Sequence, residues 1–157
     1  MMKRIRKGLT LLELVIAMAL ASIVVAGATV IFFSLDKMSK AEIKSFTETS
    51  DVKKLITVVD GIISDPKNSS FVIETSNSPQ TLLFTITENN GVEYEYSFVE
   101  NSLTKTNVST SASEDLFTTD YDVTITIHEE ATHLYKFTFH YGNDLGSTMY
   151  LVKEINA

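Results

Sequence analysis

A run of twenty-two residues without a formal charge, Leu14–Leu35, constrains this chain more than any other feature. At about 1.5 Å of rise per helical residue the run is roughly 33 Å long, which matches the hydrocarbon core of a bilayer. Four basic residues precede it: Lys3, Arg4, Arg6 and Lys7. Positive charges beside a membrane span are retained on the cytoplasmic side. The sequence therefore predicts one spanning helix, with the remainder of the chain translocated across the membrane.

One carboxylate, Glu13, stands directly before this run. A charged side chain in the first turn of a membrane helix is costly to insert unless it finds a partner. An ordinary cleaved signal peptide does not need such a residue, and neither does an uncleaved anchor. The position of Glu13 therefore indicates a segment whose function requires the charge.

The residues Lys7-Gly8-Leu9-Thr10-Leu11-Leu12-Glu13, followed by the apolar run, resemble the prepilin motif of type IV pilins and pseudopilins. The resemblance implies that a dedicated membrane peptidase, the prepilin peptidase, cuts after Gly8. It implies that Leu9 becomes the N-methylated first residue and that Glu13 becomes the fifth. Most family members have Phe where Leu9 stands, and a helix-breaking proline that is common later in this segment is missing here.

Cleavage after Gly8 would leave a cationic α-amine on Leu9, at the positive end of the helix dipole. The Glu13 carboxylate of one subunit can then pair with the Leu9 amine of a neighbour, and a wrong stagger leaves both charges unpaired. This pair is expected to set the assembly register. In the alternative interpretation, Glu13 lies at the level of the lipid headgroups and extends towards water.

The helix is predicted to continue beyond the membrane. Apolar residues recur at helical spacing from Val52 to Ile63, which predicts that one face of this segment packs on a sheet. Gly61 and Asp65-Pro66 provide the stop, so we expect one helix from about Leu9 to Ser64.

From Phe71 onward the pattern changes to the alternation of β-strands. Turns are predicted at Ser76–Pro79 and Asn89–Gly91, and a polar loop at Asn107–Glu114. The predicted strands are Phe71–Glu74, Leu82–Thr87, Val92–Val99, Leu103–Lys105, Val123–Ile127, Tyr135–Tyr141 and Met149–Lys153. The expected fold class is α+β, with a long N-terminal helix laid across an antiparallel β-sheet head.

The predicted organisation has four parts: a leader (residues 1–8), a transmembrane and filament-core helix (9–35), its amphipathic continuation (36–65) and a β-rich head (66–157). The order of the strands from Val92 to Ile127, with a long loop before Val123, loosely resembles PilW-like or J-type minor pilins. The aromatic stripes of Val92–Val99 and Tyr135–Tyr141 are expected to form the core beneath the helix.

Other chemistry is set aside. His128 and His133 bracket a protease-like sequence, but they are five residues apart and lie at a predicted strand end, which favours a hairpin over a metal site. Asp115, Asp120 and Asp122 lack the spacing of a calcium loop and are interpreted as loop residues. No catalytic triad, phosphate loop or pair of catalytic carboxylates can be placed. We therefore expect no enzyme, no cofactor, no metal and no small-molecule substrate.

Charge bears on the class of partner. Loss of residues 1–8 lowers the basic count from 13 to 9 against 20 acidic residues, a net charge near −11. A chain with this excess of acidic residues is a poor general binder of nucleic acid, because such binding depends on Lys and Arg that neutralise phosphates. Cysteine is absent, so disulfides cannot stabilise the head.

The resemblance implies a structural subunit, a minor pilin or pseudopilin of a pilus, competence or secretion filament. Its partners would be other pilins, the prepilin peptidase and a membrane assembly platform, and its head would end at the cell surface. The alternative is a secreted or anchored β-rich binding domain whose conventional export signal is cleaved near Ala26-Gly27-Ala28.

Overall fold

The computed structural model describes residues 10–73, 82–142 and 145–155. It has a single long helix in these ranges, α1, which covers Leu11–Ile63. The Ser64 amide still donates to the Asp60 carbonyl, and Pro66, which has no amide hydrogen, follows shortly after. The predicted end near Ser64 is therefore confirmed to within one residue, whereas the predicted start at Leu9 lies outside the described residues.

The chain divides into two compact units, residues 1–44 and residues 45–157. In its described part the first unit is helical from Leu11 onward, and its side chains are exposed throughout. The second unit contains the last part of α1 and all the strands that the structure describes. We refer to residues 45–157 as the head.

Within the residues that the structure describes, the head contains two antiparallel sheets. The first has five strands in the order β1-β2-β3-β4-β5, with β1 and β5 at its edges, and the second has three in the order β6-β7-β8, with β6 and β8 at its edges. The strands are β1 (Asn68–Ile73), β2 (Leu82–Glu88), β3 (Glu93–Val99), β4 (Ser102–Asn107), β5 (Ser113–Thr118), β6 (Val123–Ala131), β7 (Leu134–Tyr141) and β8 (Ser147–Glu154).

The α+β class with a long N-terminal helix on antiparallel strands is confirmed, and three details differ. Strand β5 occupies the end of the predicted polar loop, because backbone pairing with β4 compensates for its polar composition. The strands divide between two sheets where one was expected. The first predicted strand was placed too late, since β1 begins at Asn68. The Asn89–Gly91 turn is confirmed, with Gly91 at a φ of 80°, and the Ser76–Pro79 turn lies outside the described residues.

One hydrophobic core lies between α1 and both sheets. Val52, Leu55 and Val59 of the helix are fully buried. Phe84 of the first sheet stacks on Tyr96 at 5.0 Å and meets Phe137 of the second sheet edge-on at 6.2 Å between ring centroids. Full burial of a large apolar side chain contributes about 1.5–3 kcal/mol. The predicted apolar helix face and the aromatic stripes are therefore confirmed as core.

The β3–β4 hairpin turn also joins the two sheets. Its central residues, Glu100 and Asn101, have φ values of 48° and 64°, a pair of left-handed conformations that suits a tight hairpin. The Asn101 side-chain oxygen accepts a hydrogen bond from the Val123 amide at 3.2 Å, at the start of β6. Its backbone carbonyl accepts another from the Thr119 amide at 2.9 Å. Asn101 therefore connects a turn of the first sheet to the first residue of the second.

Candidate processing and assembly site

Most of the residues predicted to form the processing site lie outside the described residues. These are the cleavage and methylation residues Gly8 and Leu9, and the leader residues Lys3, Arg4, Arg6 and Lys7. Glu13 and the residues around it are described. The described part of the site therefore begins at Thr10.

Thr10 and Glu13 form a reciprocal cap at the start of α1. The Glu13 Oε2 atom accepts hydrogen bonds from the Thr10 amide and from the Thr10 hydroxyl, both at 3.0 Å. The Thr10 hydroxyl oxygen in turn accepts a bond from the Glu13 amide at 3.3 Å. This is the capping box of Thr-x-x-Glu sequences, in which two otherwise unpaired backbone donors are satisfied.

The cap explains how a carboxylate can precede an apolar helix. Its charge lies at the positive end of the helix dipole, where an anion is stabilised. Both bonds from Thr10 end on Oε2; within the part of the chain that the structure describes, Oε1 receives no hydrogen bond. Glu13 can therefore keep its own helix start intact and still offer one oxygen to a second donor. This capping role was not predicted, although the Thr-x-x-Glu spacing of Thr10 and Glu13 is its sequence signal.

The segment after the cap has the length and composition of a membrane span. Among the described residues, α1 is the one helix that is long and apolar enough to cross a membrane by these criteria. Its few hydroxyl groups bond to its own backbone: Ser22 donates to the Ala19 carbonyl and Thr29 to the Val25 carbonyl, each at 2.8 Å. These bonds satisfy hydroxyl groups that lipid could not.

The charged part of the helix begins directly after this segment. Lys40 Nζ lies 2.7 Å from Asp36 Oδ2, a pair one turn apart on the surface. An exposed pair of this kind contributes little to stability. The boundary between segments 9–35 and 36–65 stays a prediction, since it rests on the change from apolar to charged side chains at Leu35 and Asp36.

The residues considered for metal chemistry do not come together. His133 lies in the β6–β7 turn at a φ of 64°, and its amide donates to Glu129 Oε1 at 3.3 Å. Asp115 accepts a bond from Thr104 on the neighbouring strand, and Asp122 accepts one from Asn101. Across the described ranges, no three His, Cys, Asp or Glu side chains are grouped to hold an ion.

A solvent-open cleft of about 330 Å³ lies between the end of α1 and the first sheet, with Tyr96, Lys105 and Glu88 in its lining. Lys105 Nζ stands 3.7 Å above the ring of Tyr94 and 3.9 Å from Glu88 Oε1. Burial raises the pKa of Tyr96 to about 12, and the charge of Glu88 adds to this shift. The cleft therefore disfavours a tyrosinate at ordinary pH.

Comparison with known proteins bears on the first part of the chain. A family model described as the prokaryotic N-terminal methylation motif matches residues 3–29. No curated protein and no solved structure matches the chain. The matched range contains the predicted cleavage residues, the Thr10–Glu13 cap and most of the apolar run. The chain therefore carries, over residues 3–29, the N-terminal methylation motif that marks a type IV prepilin-like precursor.

Proposed function

We propose that this chain is a structural subunit, a minor pilin or pseudopilin, of a type IV pilus, competence or secretion-like filament. The observation that carries the proposal is the methylation motif at residues 3–29, at the start of a 53-residue helix whose last turns form the core of a β-rich head. A prepilin peptidase, other pilins and a membrane assembly platform would be its partners. Its function is assembly, not catalysis.

In this proposal the peptidase cuts between Gly8 and Leu9, and Leu9 is then N-methylated. The geometry at Thr10 supports this position, because both members of the capping box lie after the cut. Cleavage therefore removes the leader and keeps the capping hydrogen bonds at the start of the helix. It leaves segments 9–35, 36–65 and 66–157 as span, amphipathic helix and head, held in the membrane until assembly and exposed at the cell surface afterwards.

Glu13 would then act twice. In the free subunit its bonds to Thr10 reduce the cost of keeping a carboxylate beside lipid. In the filament its charge would pair with the methylated Leu9 amine of a neighbour, through the carboxylate oxygen that Thr10 does not occupy. A misaligned neighbour leaves both charges unpaired in a medium of low dielectric constant, so the pair would set register more than it adds stability.

Mass spectrometry of the mature N-terminus tests the cleavage. We expect the protein recovered from cells to begin with N-methylated Leu9. A Gly8→Val variant, in which a branched side chain occupies the cleavage position, should retain residues 1–8. A mature chain that begins near Thr29 would show a conventional export signal and support the binding-domain alternative. A wild-type chain that keeps its leader in cells with an active peptidase would refute the proposal.

Two matched variants separate the two functions of Glu13. Glu13→Gln keeps an oxygen acceptor in the capping box and removes the charge, whereas Thr10→Val removes the hydroxyl and keeps the charge. We expect Glu13→Gln, like Glu13→Ala, to insert normally in the membrane and to be depleted from filaments. Thr10→Val should be incorporated nearly as the wild type is. Normal incorporation of Glu13→Gln would leave the register argument without support.

A further inference from the structure

Three lysines form a stripe on the helix just beyond the membrane span. Lys37, Lys40 and Lys44 are spaced by three and four residues, which places them on one face of α1 over two turns. All three are exposed, and the acidic Glu42 falls on the far side of the helix. The bond of Lys40 to Asp36 joins two exposed side chains, so water or another anion can replace it at little cost.

The outer face of the five-stranded sheet has the opposite character. Glu93 and Glu95 project from β3 on the side away from the core, since they alternate with Tyr94 and the buried Tyr96. Asp115 of β5 lies on the same face, opposite Thr104, whose hydroxyl donates to it at 2.9 Å. All three carboxylates belong to exposed residues. We call them the acidic face.

Hydroxyl-bearing side chains surround the carboxylates of the acidic face. The strand register places small polar side chains beside the carboxylates: Thr85, Thr87, Thr104, Thr106 and Ser113. Among the described residues of this face there is no lysine or arginine, because Lys105 of β4 points to the other side, over Tyr94. A cationic partner from outside the head would therefore meet three carboxylates that no basic side chain of their own face neutralises.

We propose that the lysine stripe of one copy of this chain docks on the acidic face of a second copy. The inference rests on the proposed function, since it specifies how subunits of such a filament contact one another. The dimensions agree: Lys37 and Lys44 are about 10 Å apart along the helix. On the sheet, Glu93 and Glu95 are about 7 Å apart and β3 and β5 about 10 Å apart. The flexible lysine stems can absorb the remaining difference.

The two surfaces are different, so the contact is heterologous and does not close on itself. Each copy offers a lysine stripe to one neighbour and an acidic face to another, and repetition of such a contact generates an open helical assembly. Exposed ion pairs are individually weak. Their main effect here is on selection, because a wrong stagger places like charges against one another.

A second source of negative charge lies close by. Lys37 follows the end of the uncharged run at Leu35 by two residues, so anionic lipid headgroups are within its reach before assembly. Lipid contact alone makes a different prediction, since it requires no particular residue on the sheet. Only docking between copies depends on both the lysine stripe and the acidic face.

Cross-linking in filaments tests the contact directly. The chain has no cysteine, so a Lys40→Cys/Glu95→Cys double variant reacts with a short thiol-specific bifunctional reagent without background. We expect a ladder of dimers, trimers and higher multimers, because each copy is joined to two neighbours. Either single variant should give dimers at most. The matched control is Lys53→Cys/Glu95→Cys, which replaces an exposed lysine from the other side of the helix and should give no ladder.

Charge reversal supplies the second measurement. Lys37→Glu with Lys40→Glu should lower the recovery of the chain in filaments more than about tenfold, because like charges then face one another. Adding Glu93→Lys and Glu95→Lys to the same chain should restore recovery, which a merely structural or lipid-binding role of the lysines would not allow.

The outcomes separate this inference from the proposed function. If filaments contain the methylated chain but show neither the cross-linked ladder nor rescue by double charge reversal, the docking contact is overturned. The subunit assignment is then unaffected. Weaker binding of the Lys37→Glu/Lys40→Glu chain to vesicles that contain phosphatidylglycerol, with normal filaments, assigns the lysines to lipid and also overturns it. A processed wild-type chain that enters no filament defeats the proposed function itself.

Discussion

The junction at Asn101 gives the sharpest prediction for the stability of the head. The position has a φ of 64°, and its side chain accepts the Val123 amide hydrogen bond at 3.2 Å. Asn101→Ala removes the acceptor and leaves that amide, which belongs to a buried residue, unpaired at a cost of about 1–3 kcal/mol. It also places a Cβ without a compensating local hydrogen bond in a left-handed conformation, at a further cost of about 1 kcal/mol.

The expected loss for Asn101→Ala is therefore about 2–4 kcal/mol, a large share of the stability of a small domain. Asn101→Gly also loses the acceptor, but glycine adopts a positive φ without strain, so this variant should be about 1 kcal/mol more stable than Asn101→Ala. Urea unfolding of the mature chain in detergent, followed by tyrosine fluorescence because tryptophan is absent, measures both. An alanine variant as stable as the wild type refutes the reasoning, and equal losses for the two variants refute the backbone part.

Three further predictions concern the helix and the cleft beside it. Gly61→Ala should raise the free energy of unfolding by about 0.5–1 kcal/mol, because the added Cβ meets nothing within 4 Å; an unchanged urea midpoint would contradict this. Lys153→Met removes 2.7 Å bonds to Asp60 and Ser64 and should lower the free energy of unfolding by less than about 1 kcal/mol. The difference from the wild type should disappear in high salt, and urea unfolding at increasing sodium chloride concentration measures it. The pKa of Tyr96 is raised from 10.0 to about 12, so the phenol loses its proton at a lower pH in the unfolded chain than in the folded one. The contribution of Tyr96 to the free energy of unfolding is therefore complete below pH 10 and is lost as the pH rises towards 12. Tyr96→Phe should therefore reduce the loss of unfolding free energy between pH 10 and pH 12. A variant that loses as much stability over this range as the wild type would contradict the prediction.

The sequence predicted the elements whose pattern is dictated by burial. Tyr94, Tyr96 and Phe98 alternate with polar residues because one side of β3 covers the core, and Val52, Leu55 and Val59 recur at helical spacing for the same reason. Strand β5, with the sequence Ser-Glu-Asp-Leu-Phe-Thr, has no such alternation and is held by backbone pairing to β4. Composition cannot reveal a strand of that kind. The division into two sheets depends on which strands pair, and alternation does not specify pairing.

At the candidate site, the functions of Gly8, Leu9 and Glu13 stay predictions, and the local geometry could not be predicted. The sequence places the charge of Glu13 before an apolar run, but the bonds from Thr10 depend on where the helix begins. That start is fixed by the cap itself, since Thr10 is the last residue before α1. The link from Asn101 to Val123 was beyond prediction for another reason: it joins residues 22 positions apart through a turn and a linker whose local sequences give no sign of each other.

The open edges of the two sheets have a consequence for the proposed function, in which copies of the head lie side by side. Strand β5 ends its sheet with exposed Glu114 and Asp115, and strand β6 ends the other with exposed Glu129 and Glu130. Unpaired backbone groups on such edges can recruit strands from other molecules, and mutual repulsion between carboxylates opposes this. Two of the four sheet edges are therefore protected against backbone pairing between the copies that the proposed filament would bring together. Replacing these four carboxylates by amides should therefore make concentrated solutions of the chain scatter more light over time than solutions of the wild type, and equal scattering would contradict this.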